Sequence, residues 1–224
     1  MKNKDFRKNF HENAAWRTND VVCGIDEVGR GPIAGPLVTG AAILPPGLAP
    51  SFLKDSKILT EKELLHSYKW ITKHCIFSTG IASNYEIDKY NIWHATLIAM
   101  KRAAINLLTV TQKLPYAILV DAMPLKLYDT IYKDIPIKHF AKGESLSSSI
   151  AAASIIAKVT RDRIMGKLEK IFPGYQLEEH KGYGTQAHKR ALEKQKHSII
   201  HRISFLQKTF YKGKNEQKNQ QLLF

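Results

Sequence analysis

Residues 21–32 read VVCGIDEVGRGP, and the reading of the chain turns on them. Residues 21–25 are apolar or small and predict a short strand, which runs into two acids, Asp26 and Glu27. Gly29-Arg30-Gly31-Pro32 supplies a turn, and residues 37–44 read as a second strand that Pro45-Pro46-Gly47 ends. Two apolar runs joined by a short Gly/Pro loop predict an antiparallel pair.

Working outward, Thr60 with Glu63 three residues on has the form of a capping box and predicts a helix to about Lys73. Residues 75–82 read as a strand. Residues 92–108 read as a helix with Leu97, Met100, Ala104 and Leu108 along one side. AILV at 117–120 predicts a short buried strand that ends on Asp121, and residues 137–140 predict another. A long helix is expected over 149–171, stopped by Pro173-Gly174, and Thr185 caps a further one to about Lys194. Residues 1–20 are polar and without periodicity and read as a frayed arm. The order predicts one α/β domain over 21–206, a central mixed sheet flanked by helices with a helical extension at its C-terminal end. A basic flexible tail over 207–224 follows.

Asp26 and Asp121 each end an apolar strand, where functional groups of α/β sheets collect. A carboxylate there is costly to desolvate, and a bound divalent cation offsets that cost. Asp26 and Glu27 point to opposite faces of a regular strand, so both serve one site only if the chain turns there. An N-cap or a salt bridge to Arg30 is the plainer explanation, and on these residues alone it stays open. Hard oxygen donors without His or Cys suit Mg²⁺ or Mn²⁺. Such sites cleave phosphodiesters with two metals, one activating water and one stabilising the leaving oxygen.

Charge supports a polyanionic substrate. Thirty-four Lys and Arg against 20 Asp and Glu give a net charge of +14, favouring phosphate partners through counterion release. Between residues 181 and 224 ten Lys and Arg face only Glu193 and Glu216, so that stretch carries +8 of the total. No apolar run is long enough to span a bilayer, and residues 1–13 lack the apolar core of a secretory signal. Cys23 and Cys75 have no metal-ligand spacing. A cytoplasmic, monomeric protein is expected. On the long helix Ser154, Lys158 and Arg161 stand at i, i+4 and i+7, a stripe suited to duplex phosphates; a self-contained salt bridge through Asp162 is the alternative.

Six motifs carry a resemblance. GIDEVGRGPIAGPLV (24–38), DSKILT (55–60), LVDAM (119–123), KGES with SIAAASIIAKVTRDR (142–163), PGY with HKGYGTQAH (173–188) and HRISF (201–205) are similar, in order, to those of the ribonuclease HII family. The resemblance covers about residues 20–206. It implies a ribonuclease H-like fold and hydrolysis of RNA in RNA–DNA hybrids. It also implies incision at single ribonucleotides in duplex DNA, leaving 5′-phosphate and 3′-hydroxyl ends. The family's metal-binding, catalytic acids fall on Asp26, Glu27 and Asp121, and its fourth, usually Asp, falls on Glu144. The turn that tests for the ribose 2′-hydroxyl maps onto Gly29, Arg30 and Gly31, and its partner tyrosine onto Tyr183. Lys57 of DSK joins Ser154, Lys158 and Arg161 as a phosphate-positioning residue.

The last five residues, Gln220-Gln221-Leu222-Leu223-Phe224, are similar to peptides that dock in bacterial sliding clamps, with Gln221 where a leucine is usual. The sister type, ribonuclease HIII, carries an extra domain before its catalytic motif, and 25 residues precede Asp26 here. A resolvase or integrase of the same fold does not share the Gly-Arg-Gly and HKGYGT pairing. A hybrid-binding protein without catalysis is the rival of a different class, and metal-dependent cleavage separates it from a nuclease.

Overall fold

The computed structural model describes residues 8–211. Its elements are α1 (Phe10–Trp16), β1 (Val22–Val28), β2 (Leu37–Ile43), α2 (Glu61–His74), β3 (Ile76–Ala82), α3 (Asn84–Val110), β4 (Ala117–Asp121) and β5 (Ile137–Phe140). The helices α4 (Gly143–Leu146), α5 (Ser148–Ile171), α6 (Leu177–His180), α7 (Gln186–Gln195) and α8 (Ile203–Tyr211) follow. The strands form one sheet in the order β3-β2-β1-β4-β5. β1 pairs antiparallel with β2, as the Gly/Pro loop predicts, and β2 pairs antiparallel with β3. β4 lies parallel to β1, and β5 parallel to β4, so the sheet is mixed.

Strand alternation divides the core. Cys23, Ile25, Ala41, Ile43, Ile118 and Val120 face α3, where Met100, Ala104 and Leu108 meet them. Ala42 and Leu44 face α2 and α5 on the other side. α5 comes unusually close to the sheet because β1 and β2 offer glycines beneath it. A Cβ on Gly24 would stand 2.1 Å from the Ser149 carbonyl carbon, and one on Gly40 would stand 2.1 Å from Ala153 O. The Ala151-Ala152-Ala153 run completes that close packing.

Several elements differ from the sequence expectation. Residues 1–20 include α1, whose Glu12 is buried and accepts hydrogen bonds from Ser147 Oγ and from Ser149 N. Asn9 Oδ1 accepts from Ser148 N at 2.8 Å, so the segment caps the start of α5 instead of fraying. α3 begins eight residues early, on a Ser83–Glu86 capping box, with a break at Asn91 (φ 63°) where the apolar period resumes. α8 runs on to Tyr211, past residue 207 where the tail is expected to begin. The 220–224 peptide lies outside the described residues. Among the described residues no helix is long and apolar enough to cross a membrane.

Candidate active site

The parallel pairing of β1 with β4 ends at Ile25↔Val120, and the next residue on each strand is an acid. Asp26 and Asp121 therefore stand side by side where the two strands part, on the face that α5 covers. β1 does not turn after Ile25. It continues to Val28, with Asp26 opposite Gly40 and Glu27 opposite Thr39 on β2. Glu27 consequently leaves from the other face and lies 3.5 Å from Arg30 Nη1. The turn expected between the two acids is absent, and the parting of the strands brings Glu27 within the field of Asp121 instead.

Glu144 arrives from α4, in the loop between β5 and α5. Gly143 N donates to Asp121 Oδ1 at 2.7 Å and locks that loop against the end of β4. Ala122 and Lys142, beside this contact, both hold positive φ (54° and 61°), a conformation non-glycine residues adopt when their surroundings impose it. Lys57 Nζ lies 3.7 Å from Glu144 Oε1 on an otherwise exposed side chain. Burial, reinforced by the charge of Glu27, raises the Asp26 carboxyl well above the usual carboxylate range. Burial pushes Glu27 up to about 7 against the pull of Arg30. Burial also raises Glu144. One oxygen each of Glu27 and Glu144 is buried without a hydrogen-bond partner. Crowded, desolvated carboxylates with orphaned oxygens suit a hard divalent cation in charge and donor type. Among the described residues no three of them already converge as a ligand cage.

An open groove of about 1140 Å³ runs from Glu27 and the Gly29–Gly31 turn along α5 to Tyr183. Tyr183 is half-exposed, and a Cβ on Gly31 would meet its ring edge at 3.5 Å. The turn and the tyrosine thus lie close together at one end of the groove. Gly29 holds φ +103°, and a side chain there would collide with Arg161.

The phosphate stripe expected on α5 does not form as read. Arg161 is buried and gives its guanidinium to the carbonyls of Pro36 (2.9 Å), Lys181 (2.9 Å) and Ala34 (3.3 Å). Ser154 is buried 2.9 Å from Ser56 Oγ and touches the field of Asp26. Lys158 lines the groove, but Asp162 takes its ammonium at 2.8 Å, the alternative left open above. The exposed cations of α5 along the groove are Arg163, Lys167 and Lys170, one helical face away. Their own i, i+4, i+7 spacing was the signal available for them. Arg202, in the HRISF motif, is a fourth residue the sequence reading gave no role. Fully buried, it donates to Gly29 O (2.7 Å), Gly35 O (2.9 Å) and Arg30 O (3.2 Å) and so holds the turn from behind. Burial, with Arg161 nearby, lowers its pKa to about 9, still charged at neutral pH.

The sequence profile of ribonuclease HII matches residues 23–208. The chain belongs to the ribonuclease HII family. It is 46% identical over 187 residues to ribonuclease HII of Ligilactobacillus salivarius, covering 83% of this chain and 69% of that one. To ribonuclease HII of Fusobacterium nucleatum it is 47% identical over 190 residues, covering 84% and 86%. Among solved structures, ribonuclease H2 of Pyrococcus horikoshii superposes with a TM-score of 0.67 at 26% identity, over 82% of this chain and 93% of that one. As a ribonuclease HII family member, the chain is a nuclease of the ribonuclease H type with the α/β fold those relatives share.

Proposed function

We propose that the chain hydrolyses the RNA strand of RNA–DNA hybrids and incises at ribonucleotides embedded in duplex DNA, leaving 5′-phosphate and 3′-hydroxyl ends. One observation carries the reading: Asp26 and Asp121 follow the last paired residues where β1 and β4 part, Glu27 and Glu144 lie within the field of Asp121, and Glu27 lines a groove together with the glycine turn and Tyr183. Asp26, Glu27, Asp121 and Glu144 are the residues to hold Mg²⁺ or Mn²⁺. Such an ion, when bound, supplies an activated water and charge neutralisation at the phosphate.

The chain's own residues do the rest. Asp121 is fixed by Gly143 N, and Asp26 Oδ1 is fixed by the Glu27 amide at 2.7 Å, so both carboxylates are pre-oriented. Lys57, raised in pKa by Asp55 and Glu144 against the effect of burial, stays charged beside the acids and offers a phosphate contact. Gly29, Arg30 and Gly31 present backbone groups to a ribose, and Tyr183 closes on its far side. A deoxyribose lacks the hydroxyl those groups test for. Arg163, Lys167 and Lys170 draw duplex phosphates along the groove without regard to sequence.

Residues 21–206 form the catalytic unit in this reading, working as a monomer in the cytoplasm. The 207–224 segment adds basic charge, and the Gln220–Phe224 peptide is a clamp-docking end on sequence grounds. The test is an RNA–DNA hybrid beside a duplex DNA of the same sequence, with Mg²⁺, Mn²⁺ or a chelator. Metal-dependent cutting of the RNA strand alone is expected. Tight hybrid binding with no cutting in either ion would make the chain a binding protein.

A further inference from the structure

Three imidazoles stand behind the Tyr183 loop, apart from the acid cluster. His188 and His201 are buried with their Nε2 atoms 3.0 Å apart, and His180 stacks on His188 with ring centroids 4.4 Å apart. Their partners fix the protons. A carbonyl only accepts, so His188 Nδ1, 2.9 Å from Tyr183 O, carries a hydrogen and donates it. A backbone amide only donates, so Ser198 N–H at 3.0 Å requires a lone pair on His201 Nδ1. In neutral rings the His201 proton then sits on Nε2 and points into the lone pair of His188 Nε2. With the proton on Nδ1 instead, toward Ser198 O at 3.3 Å, two lone pairs would face each other across 3.0 Å. His180 obeys the same logic, donating from Nε2 to Tyr175 O at 2.7 Å and accepting at Nδ1 from Gly182 N at 3.2 Å.

The one-way series from Ser198 through His201 and His188 ends on the carbonyl of Tyr183 itself. Next to His201 in the chain, Arg202 grips Gly29 O and Arg30 O. Ala34 bridges His201, and Ile33 O accepts from Arg202 N at 2.8 Å. Two consecutive residues thus hold both walls of the groove's end: one the glycine turn, the other, through His188, the tyrosine.

The geometry points to His188 and His201 as positioning residues that set Tyr183 against the Gly29–Gly31 turn, and so set how sharply a ribose is told from a deoxyribose. The inference rests on the role proposed above for Tyr183. Removing the His188 donor frees the Tyr183 backbone and costs the reaction only insofar as the tyrosine ring matters to it.

The experiment is a double-mutant cycle on a DNA duplex carrying one ribonucleotide, with kcat and KM read separately and thermal unfolding followed alongside. His188→Leu should lower kcat/KM about tenfold with Tyr183 present, and less than about twofold further in a Tyr183→Ala background. His188→Asn, whose amide can replace the Nδ1 donor, should restore most of the loss. Equal losses in both backgrounds, or no loss with Tyr183 present, would overturn the inference while leaving the proposed function standing. A wild-type chain that cuts no ribonucleotide substrate would overturn both.

Discussion

Arg161 shows how a charge chosen from sequence for a phosphate can be committed elsewhere. A lone helix-face arginine in a basic chain reads as a substrate contact, yet this one is buried and satisfies the carbonyls of Ala34, Pro36 and Lys181. Nothing in the local sequence distinguishes the two fates, because the carbonyls come from loops more than 100 residues away and from the far side of the Tyr183 loop. Arg161→Met should destabilise the fold by roughly 3 kcal/mol or more, since three buried carbonyls lose a charged donor. Arg161→Lys should recover little, having no planar fork to reach all three. Urea unfolding checks both. Glu144 is the converse case, legible as an acid but not in its detail. It is held 3.7 Å from Lys57 with its second oxygen unpartnered. Glu144→Gln should raise the Mg²⁺ or Mn²⁺ concentration for half-maximal cleavage by about tenfold or more. Glu144→Asp should keep cleavage. A metal titration of the rate would show an unchanged midpoint for Glu144→Gln if the residue holds no ion.

Among the elements, β1, β2, β4 and α5 were readable because apolar periodicity and caps are local. Thr60 with Glu63 gave α2 its start, and the structure bears that capping box out. α1 was not readable: its seven residues lack an apolar stripe, and it is held by Glu12 and Asn9 against the head of α5, a contact across more than 130 residues. The start of α3 was missed for a related reason, since Asn91 breaks the period that the remainder of the helix keeps. The candidate acids were named from strand ends and motifs, but their placement was argued from a turn that β1 does not make. What unites them is the parting of two parallel strands, a property of sheet order rather than of any local stretch. On α5 the usable cations are Arg163, Lys167 and Lys170. Replacing all three with glutamine should weaken binding to hybrid and to duplex DNA alike. It should also make the slope of log affinity against log salt shallower by about 2.7. A slope unchanged in the triple variant would mean the duplex does not follow that face.

For the chain as a unit, the buried imidazoles tie folding to pH. Burial holds His188 below its ordinary value and pushes His201 down to about 4. Both are neutral in the fold, whereas in the unfolded chain they take up protons near pH 6.5. Below that pH the unfolded chain binds more protons, so the stability the pair contributes is present above about 6.5 and is lost as pH falls toward about 4. Denaturation midpoints measured across that window should decline in wild type and decline less in a His201→Gln variant. The fold and the family were legible in six short motifs, while the brace behind the tyrosine joins segments that only the folded chain brings together. The most direct measurement is cleavage of a duplex DNA carrying one ribonucleotide, in Mg²⁺ or Mn²⁺, by the wild-type chain beside Asp121→Asn. Incision on the 5′ side of the ribonucleotide by the wild type, and none by Asp121→Asn with its fold intact, is the predicted result. Equal incision by both proteins would contradict the carboxylate site at the parting of β1 and β4.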